Sequence, residues 1–89
     1  MQYQLYSVYD EITNIYNLPY TSINENDAIR TIRMASEDPM STLHKSPKDY
    51  TLYHIGIYDD STGVYTNNAV PRLVLRISQL TINNQIQEN

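Results

Sequence analysis

Alternating apolar and polar positions predict strands in the second half of the chain. Residues 50–58 would place one set of side chains on one face, namely Tyr53, Ile55 and Ile57, and a second set on the other, namely Tyr50, Leu52, His54 and Gly56. Residues 70–80 alternate in the same way, although a short strand that leads into a helix near Ile77 fits this pattern as well. The pattern therefore predicts a strand after residue 50 and leaves two alternatives for residues 70–80.

A short internal repeat predicts two β-hairpins. Residues 9–16 align with residues 58–65, and in each segment apolar positions flank an acidic, polar loop. The loops end in Asn14 and Gly63, the residue types that most easily adopt a left-handed backbone conformation. We expect a tight turn in both places.

A helix is predicted between the hairpins, over residues 23–37. Ser22 and Glu25 have the spacing of a capping box, and Pro39 would stop the helix. Helical spacing relates the residues of the predicted inward stripe, which are Ala28, Ile29, Ile32, Ala35 and Ser36. Residues 40–49 are polar and contain Pro47, which predicts a loop.

These elements predict the fold class. Hairpin, helix, hairpin and strand in 89 residues indicate one α+β domain over residues 1–82. Its antiparallel sheet would have about five strands, from the two hairpins and the C-terminal strand, with the helix packed on one face. Residues 83–89 are polar and lack periodicity, so we predict a disordered tail. The uncovered face of the sheet would be solvated or bind a partner, and we expect function there.

Composition and charge narrow the classes of function. The absence of cysteine excludes a disulfide framework and thiolate chemistry, and the chain has no signal-peptide pattern or apolar membrane span. We therefore expect the protein to remain in the cytoplasm where it is made. The net charge of −4 opposes non-specific coating of nucleic acid, although all Lys and Arg residues fall between Arg30 and Arg76 and would permit a local basic face. A chain this short has a marginal core, which favours a homo-oligomer.

Enzyme, metal and cofactor motifs are missing from the sequence. His44 and His54 have no acidic residue at zinc-ligand spacing, and His54 is expected to be a half-exposed strand residue. The acidic loop that begins at Asp59 lacks the distal glutamate of a calcium loop and is predicted to be a turn. With two glycines in the chain, no phosphate-binding loop is available. We expect no catalytic residues, no metal site and no cofactor.

The candidate site combines tyrosines with cations on one sheet face. Tyr6 and Val8 would share this face with Tyr50, His54 and two arginines, and bases can stack on such rings while cations pair with phosphates. The same face would serve equally as a dimer interface, since Tyr and Arg are enriched in interface hot spots. The predicted nucleic-acid-binding residues are Tyr6, Tyr50, His54, Arg72 and Arg76 on the sheet, Lys45 and Lys48 in the loop, and Arg30 and Arg33 on the helix.

Three stretches also resemble a known family. These are YSVYD at residues 6–10, AIR at residues 28–30, and SPKDYTLYHIGIYDD at residues 46–60 followed by Gly63. Over residues 6–80 the chain is similar to the small non-structural protein of gokushovirus-type microviruses, which are bacteriophages with single-stranded DNA genomes. The resemblance implies a protein made in the infected bacterium, absent from the virion, that assists genome synthesis or its coupling to packaging. It implies no catalytic residues.

Two hypotheses of different classes follow. In the first, which we rank slightly higher from the sequence, the protein binds single-stranded DNA weakly through its Tyr and Arg face, as a dimer. In the second, it is an adaptor or regulator that uses this face to dimerise or to dock on phage or host replication and assembly proteins, with no DNA contact. The DNA-binding hypothesis is favoured if the six cations surround exposed tyrosines, and it is disfavoured if the cations are scattered or paired with acidic residues.

Overall fold

The computed structural model describes residues 1–80 of the chain. The predicted tail, residues 83–89, and the last two residues of the predicted domain lie outside this part. Five strands and two α-helices are formed, in the order β1 (Gln2–Asp10), β2 (Ile15–Tyr16), β3 (Tyr20–Ser22), α1 (Glu25–Glu37), α2 (Thr42–Lys45), β4 (Tyr50–Asp59) and β5 (Val64–Arg76). A 3₁₀ helix, Pro47–Asp49, precedes β4, and residues 77–80 are helical. The predicted α+β class with a five-stranded antiparallel sheet is confirmed.

The sheet has the strand order β2-β1-β4-β5, and β3 also pairs with β1. Helix α1 packs on one face of this sheet. Its buried residues Ala28 and Ile32 meet Tyr6 and Val8 of β1 and Leu52 of β4 in the hydrophobic core. The central strands β1 and β4 therefore supply the residues of the sheet that pack against α1 in the core.

Both predicted turns are confirmed, and their backbone conformations explain the residues that form them. Asn14 has a φ of 61° and Gly63 a φ of 72°, in the left-handed region that suits these two residue types. The Asp10 carboxylate accepts a hydrogen bond from the Ile12 backbone N–H, and Asp59 accepts one from Ser61 in the same way. The acidic residues therefore stabilise the turns, as expected for Asx-type turns.

The body and end of the helix are confirmed, but its predicted start is wrong. The N-cap is Asn24, whose side chain accepts a hydrogen bond from the Asp27 backbone N–H at 2.8 Å. Ser22 pairs with Gln4 in the sheet instead of capping the helix. Glu25 is consequently free of the capping box, and its carboxylate lies against β5.

The predicted loop over residues 40–49 is largely helical. Ser41 caps the single turn of α2, and this turn places Leu43 in the core. The polar residues and the proline predicted a loop. A helical turn this short is stabilised by its cap and by the burial of one side chain, and neither of these can be inferred from composition.

The end of the described chain confirms the second of the two alternatives for residues 70–80. Strand β5 ends at Arg76 and a helical turn begins at Ile77, so that Ile77 and Leu80 close the core. The second strand of the second hairpin and the predicted C-terminal strand form one continuous strand, β5, and β3 is the fifth strand of the sheet. An irregularity permits this continuity, because residues 68–71 lie opposite Ile55 alone and so accommodate Pro71.

Gly56 is required where β4 and β5 approach each other. A Cβ atom at this position would lie 2.5 Å from the carbonyl oxygen of Thr66. Such a contact would force the two strands apart beside their irregularity, so the glycine permits a close approach of two backbones.

Candidate functional site

The face on which we predicted the nucleic-acid site is the one that α1 covers. Tyr6 is 1% exposed and His54 is 7% exposed, and Val8 is buried with them. Tyr50 is half-buried and packs against the same core. The prediction that these residues lie on the uncovered face is therefore wrong. Strand alternation separates two faces, but both carry tyrosines, and only the position of the helix decides which face is buried.

Arg72 is engaged within the protein. One of its Nη atoms lies 2.6 Å from the Glu25 Oε1 atom, so this ion pair ties β5 to the first turn of α1. The guanidinium lowers the pKa of the Glu25 carboxyl, and the Tyr6 hydroxyl donates a weaker hydrogen bond to the same oxygen. Burial, followed by the charge of Glu25, raises the pKa of Tyr6 to about 12. The four groups Tyr6, Glu25, Arg72 and His54 form a polar layer between helix and sheet.

His54 is held as a neutral ring in this layer. The Asn68 amide nitrogen lies 2.8 Å from Nδ1 and can only donate, so Nδ1 must accept and the proton resides on Nε2. Nε2 then donates to the Gln4 side-chain oxygen, also at 2.8 Å. Burial, and then the nearby Arg72 charge, lower the pKa of His54. This histidine is structural, and it is more deeply buried than the sequence suggested.

A pH dependence of stability follows from His54. The pKa in the folded protein lies below the ordinary value of 6.5, so the unfolded chain takes up the proton first as the pH falls. The contribution of His54 to the free energy of unfolding should therefore be constant above this value and should decrease below it, until the folded-state pKa is reached. Urea denaturation between neutral and mildly acidic pH measures this slope. His54→Gln should reduce the slope, whereas His44→Gln, which leaves His54 in place, should retain it. An unchanged slope in His54→Gln would contradict the assignment.

The other predicted cations lie on separate elements, and two more are paired with carboxylates. Arg30 pairs with Asp27 at 2.6 Å on α1, and Arg76 lies 3.7 Å from Glu11 at the far end of β5. Arg33 is half-buried on α1. Lys45 and Lys48 are exposed on α2 and on the 3₁₀ helix. Three of the four arginines are thus neutralised locally, which weighs against a shared phosphate-binding surface.

A tyrosine cluster marks the opposite face of the sheet, which we call the open face. Tyr9 and Tyr16 contact each other across the first hairpin in a tilted arrangement, with ring centroids 4.6 Å apart. Tyr53 of β4 lies 6.1 Å from the Tyr9 ring and 5.5 Å from the Tyr16 ring, in edge-to-face geometry with both. Tyr16 retains 42% of its exposure. Sequence reasoning missed this cluster, although the repeat contained its signal.

The repeat places a tyrosine at each end of both hairpins. Antiparallel pairing brings Tyr9 opposite Tyr16, and it brings Tyr58 opposite Tyr65 in the second hairpin, again with ring centroids 4.6 Å apart. Cross-strand aromatic pairs of this kind stabilise a hairpin. The first pair gains Tyr53 as a third ring because β1 and β4 are neighbours in the sheet.

A cavity of about 350 Å³ lies beside the tyrosine cluster. It is lined by Ser7, Tyr16, Asn17, Pro19, Ile55, Asn67, Asn68 and Pro71, none of which is charged. The Ser7 hydroxyl is already used, since it donates to the Asn17 carbonyl oxygen at 2.6 Å. The cavity and the tyrosine cluster therefore offer aromatic rings, amide groups and apolar surface, and the cation of this face, Arg76 opposite Thr51, is paired with Glu11. Such a surface suits contact with another protein more than contact with phosphate.

Comparison with known proteins places the chain in a family. Residues 3–80 match the model of a family described as Phage ORF5 protein. The match spans nearly all of the described residues, so the chain belongs to this family. It is therefore a bacteriophage protein, which confirms the broader part of the resemblance found in the sequence. No curated protein and no solved structure matches it.

Two further kinds of feature were not found among the described residues, a metal-binding cluster and a membrane-spanning helix. Within residues 1–80 no cluster of three or more His, Cys, Asp or Glu side chains is arranged to hold a metal ion. No helix in this part of the chain is long and apolar enough to span a membrane. The open face is the candidate functional site.

Proposed function

We propose that this phage protein is an adaptor or regulator that assists synthesis of the single-stranded DNA genome, or its coupling to packaging, in a microvirus. It acts in the cytoplasm of the infected bacterium, is absent from the virion and catalyses no reaction. Its open face docks on a phage or host protein of replication or assembly. The membership of the Phage ORF5 family supports the phage context, and the resemblance to the gokushovirus protein supports the stage of infection.

We choose an adaptor because of one feature of the open face. The tyrosine cluster lies on an uncovered sheet face beside an uncharged cavity. Tyrosine contributes a large apolar ring at low cost in side-chain entropy and a hydroxyl that can bond across an interface. Aromatic residues concentrate binding energy at the centres of protein interfaces. The open face therefore has the chemistry of a protein-docking surface.

Weak binding of single-stranded DNA is the second candidate. The exposed ring of Tyr16 and the half-buried rings of Tyr9 and Tyr53 favour it, since bases stack on tyrosine in many single-strand binding proteins. The charges oppose it, because most of the affinity for nucleic acid comes from phosphate contacts. Here Arg30, Arg72 and Arg76 are paired with carboxylates and the chain carries a net charge of −4. We therefore rank the adaptor above DNA binding, which the sequence had favoured slightly.

Fluorescence anisotropy of a labelled single-stranded oligonucleotide separates the two candidates. An adaptor is expected to show no saturable binding at about 50 or about 200 mM salt, the range over which phosphate contacts lose most affinity. Binding that weakens with salt and disappears in Arg72→Ala/Arg76→Ala would contradict the adaptor and support the DNA role. Arg30→Ala, which removes a paired cation from α1, shows whether any such binding also uses the helix.

The partner is sought among the proteins encoded by the same phage. Each replication or capsid-assembly protein is expressed separately and its affinity for the immobilised chain is measured by biolayer interferometry. The adaptor hypothesis expects saturable, reversible binding to at least one of these proteins, with little dependence on salt because the residues that line the cavity are uncharged. If none of these proteins binds, docking on a phage protein is wrong.

A further inference from the structure

The cavity on the open face lies over the two central strands and between two outer segments of the chain. Ser7 of β1 and Ile55 of β4 belong to neighbouring strands in the middle of the sheet. On one side the lining residues come from residues 16–19, which lead from β2 to β3, and on the other side from residues 67–71 of β5. Its volume of about 350 Å³ is in the range of pockets that hold small ligands. A ligand in this cavity would therefore contact both outer segments at once.

Two amide side chains of the cavity are available for a ligand. The Ser7 hydroxyl donates to the Asn17 backbone carbonyl, and the Asn68 amide nitrogen donates to the His54 carbonyl oxygen at 2.9 Å. The side chains of Asn17 and Asn67 are exposed and make no hydrogen bond with another described residue. Each of these amides has two N–H donors and one acceptor oxygen. Donors thus lie on both sides of the cavity.

These donors suit a segment with free backbone carbonyl groups. An α-helix uses its backbone groups in its own hydrogen bonds, so it would leave Asn17 and Asn67 without partners. A polyproline II segment has no internal hydrogen bonds, and its carbonyl oxygens are free to accept. Proline also lacks an N–H group, so a proline-rich segment brings acceptors to the cavity and few donors. The two amides are therefore complementary to such a segment.

The aromatic ring and the charge of the cavity agree with a proline-rich ligand. Tyr16 lines the cavity and is also a member of the tyrosine cluster, so aromatic surface continues from the cavity to Tyr9 and Tyr53. Proline-rich segments bind in aromatic-lined grooves, and they lose little entropy because they are already extended. None of the residues that line the cavity is charged, which matches an uncharged run of prolines.

We infer that the cavity binds a proline-rich segment of the docked protein in the polyproline II conformation. The proline rings pack against Tyr16 and Ile55, and the side-chain amides of Asn17 and Asn67 donate to backbone carbonyl oxygens of the segment. The inference rests on the proposed docking function for its biological context. The chemistry of the cavity is tested by itself with a synthetic peptide.

Titration of nitrogen-15-labelled protein with decaproline, followed by NMR spectroscopy, is the test. Side-chain amides of asparagine give signals of their own in these spectra. Decaproline at concentrations up to millimolar should shift the signals of the Asn17 and Asn67 side chains and of the Ile55 backbone, and the shifts should saturate. A Gly-Ser repeat of the same length is uncharged but flexible and has no rings, so it should leave these signals in place.

Substitution of the amides tests their role in binding. Asn67→Ala should weaken the binding of decaproline about fivefold, the effect of losing one hydrogen bond, and Asn17→Ala should do the same. Asn26→Ala is the matched control, because it truncates an exposed asparagine of α1 outside the cavity and should leave the affinity unchanged. The spectrum of each variant also verifies that it is folded.

Four results would overturn the inference. These are no shift with millimolar decaproline, equal shifts with the Gly-Ser repeat, shifts that lie only outside the cavity, and a loss of affinity in Asn67→Ala no larger than in Asn26→Ala. An amphipathic helical peptide that shifts the cavity signals where decaproline does not would also overturn it and would assign the cavity to a helix.

Failure of this inference differs from failure of the docking function. If a phage protein binds through Tyr53 but decaproline does not bind, docking is supported and the proline-rich ligand is wrong. If decaproline binds at the cavity but no phage protein binds the chain, docking on a phage protein is wrong and the ligand chemistry of the cavity is supported.

Discussion

Leu52→Ala is expected to lower the free energy of unfolding by about 2–5 kcal/mol, the largest effect of any single truncation considered for this domain. Leu52 has no exposed surface and lies in the central strand β4, where it pairs with Val8 of β1 and Leu75 of β5. Its removal leaves a cavity between α1 and the sheet that backbone hydrogen bonds on both sides prevent from collapsing. Small domains are stable by only about 5–15 kcal/mol, so this variant should be close to unfolding.

Urea denaturation followed by circular dichroism measures the loss. Leu73→Ala is the matched control, because it removes the same side-chain atoms from a position of β5 that is 52% exposed. The control should lose about 0.5 kcal/mol or less, as exposed substitutions do. Equal losses in the two variants would show that the core does not lie where α1 meets β4.

Tyr53→Ala is expected to weaken binding of the docked phage protein by about thirtyfold, which corresponds to about 2 kcal/mol for a central aromatic contact. Tyr53 is the ring that joins the Tyr9–Tyr16 pair of the first hairpin to β4. Its loss removes a contact residue and also releases the two neighbouring rings. Biolayer interferometry measures the change in affinity, with the replication or capsid-assembly protein of the same phage that binds the unmodified chain.

Two further variants make this result specific. Tyr53→Phe keeps the ring and removes the hydroxyl, so it should retain most of the affinity if the ring provides the contact. Met34→Ala truncates an exposed apolar residue of α1, away from the open face, and should have no effect. Full affinity in Tyr53→Ala, in a variant that remains folded, would exclude the tyrosine cluster as the docking surface.

The two hairpin turns could be predicted from local sequence, whereas the start of the helix could not. Asn14 and Gly63 could be recognised as turn residues because their positive φ angles depend on the residue itself. The N-cap could not be recognised with the same certainty, because Ser22 and Asn24 are both good caps. The choice is made by the pairing of Ser22 with Gln4 in the sheet, which is a contact between distant parts of the chain.

The candidate site illustrates the same limit. Alternation correctly placed Tyr50, Leu52 and His54 on one face of β4, but it did not say which face the helix covers. The choice of the wrong face put buried Tyr6 and His54 into the predicted site. The charges were misread for a related reason, since the partners of Arg72 and Arg76 are Glu25 and Glu11, residues far away in the sequence.

The sequence by itself determined the α+β class, both turns, the body and end of the helix and the absence of recognisable catalytic and metal-binding motifs. These follow from residue types and from spacings of a few residues, where propensity and periodicity act. Only the tertiary structure decided which face of the sheet is open, that Tyr9, Tyr16 and Tyr53 form one cluster, and that three of the four arginines of the predicted site are paired with carboxylates. These features depend on strand order and on the docking of α1, which join residues tens of positions apart, and such long-range contacts are not encoded in any local pattern.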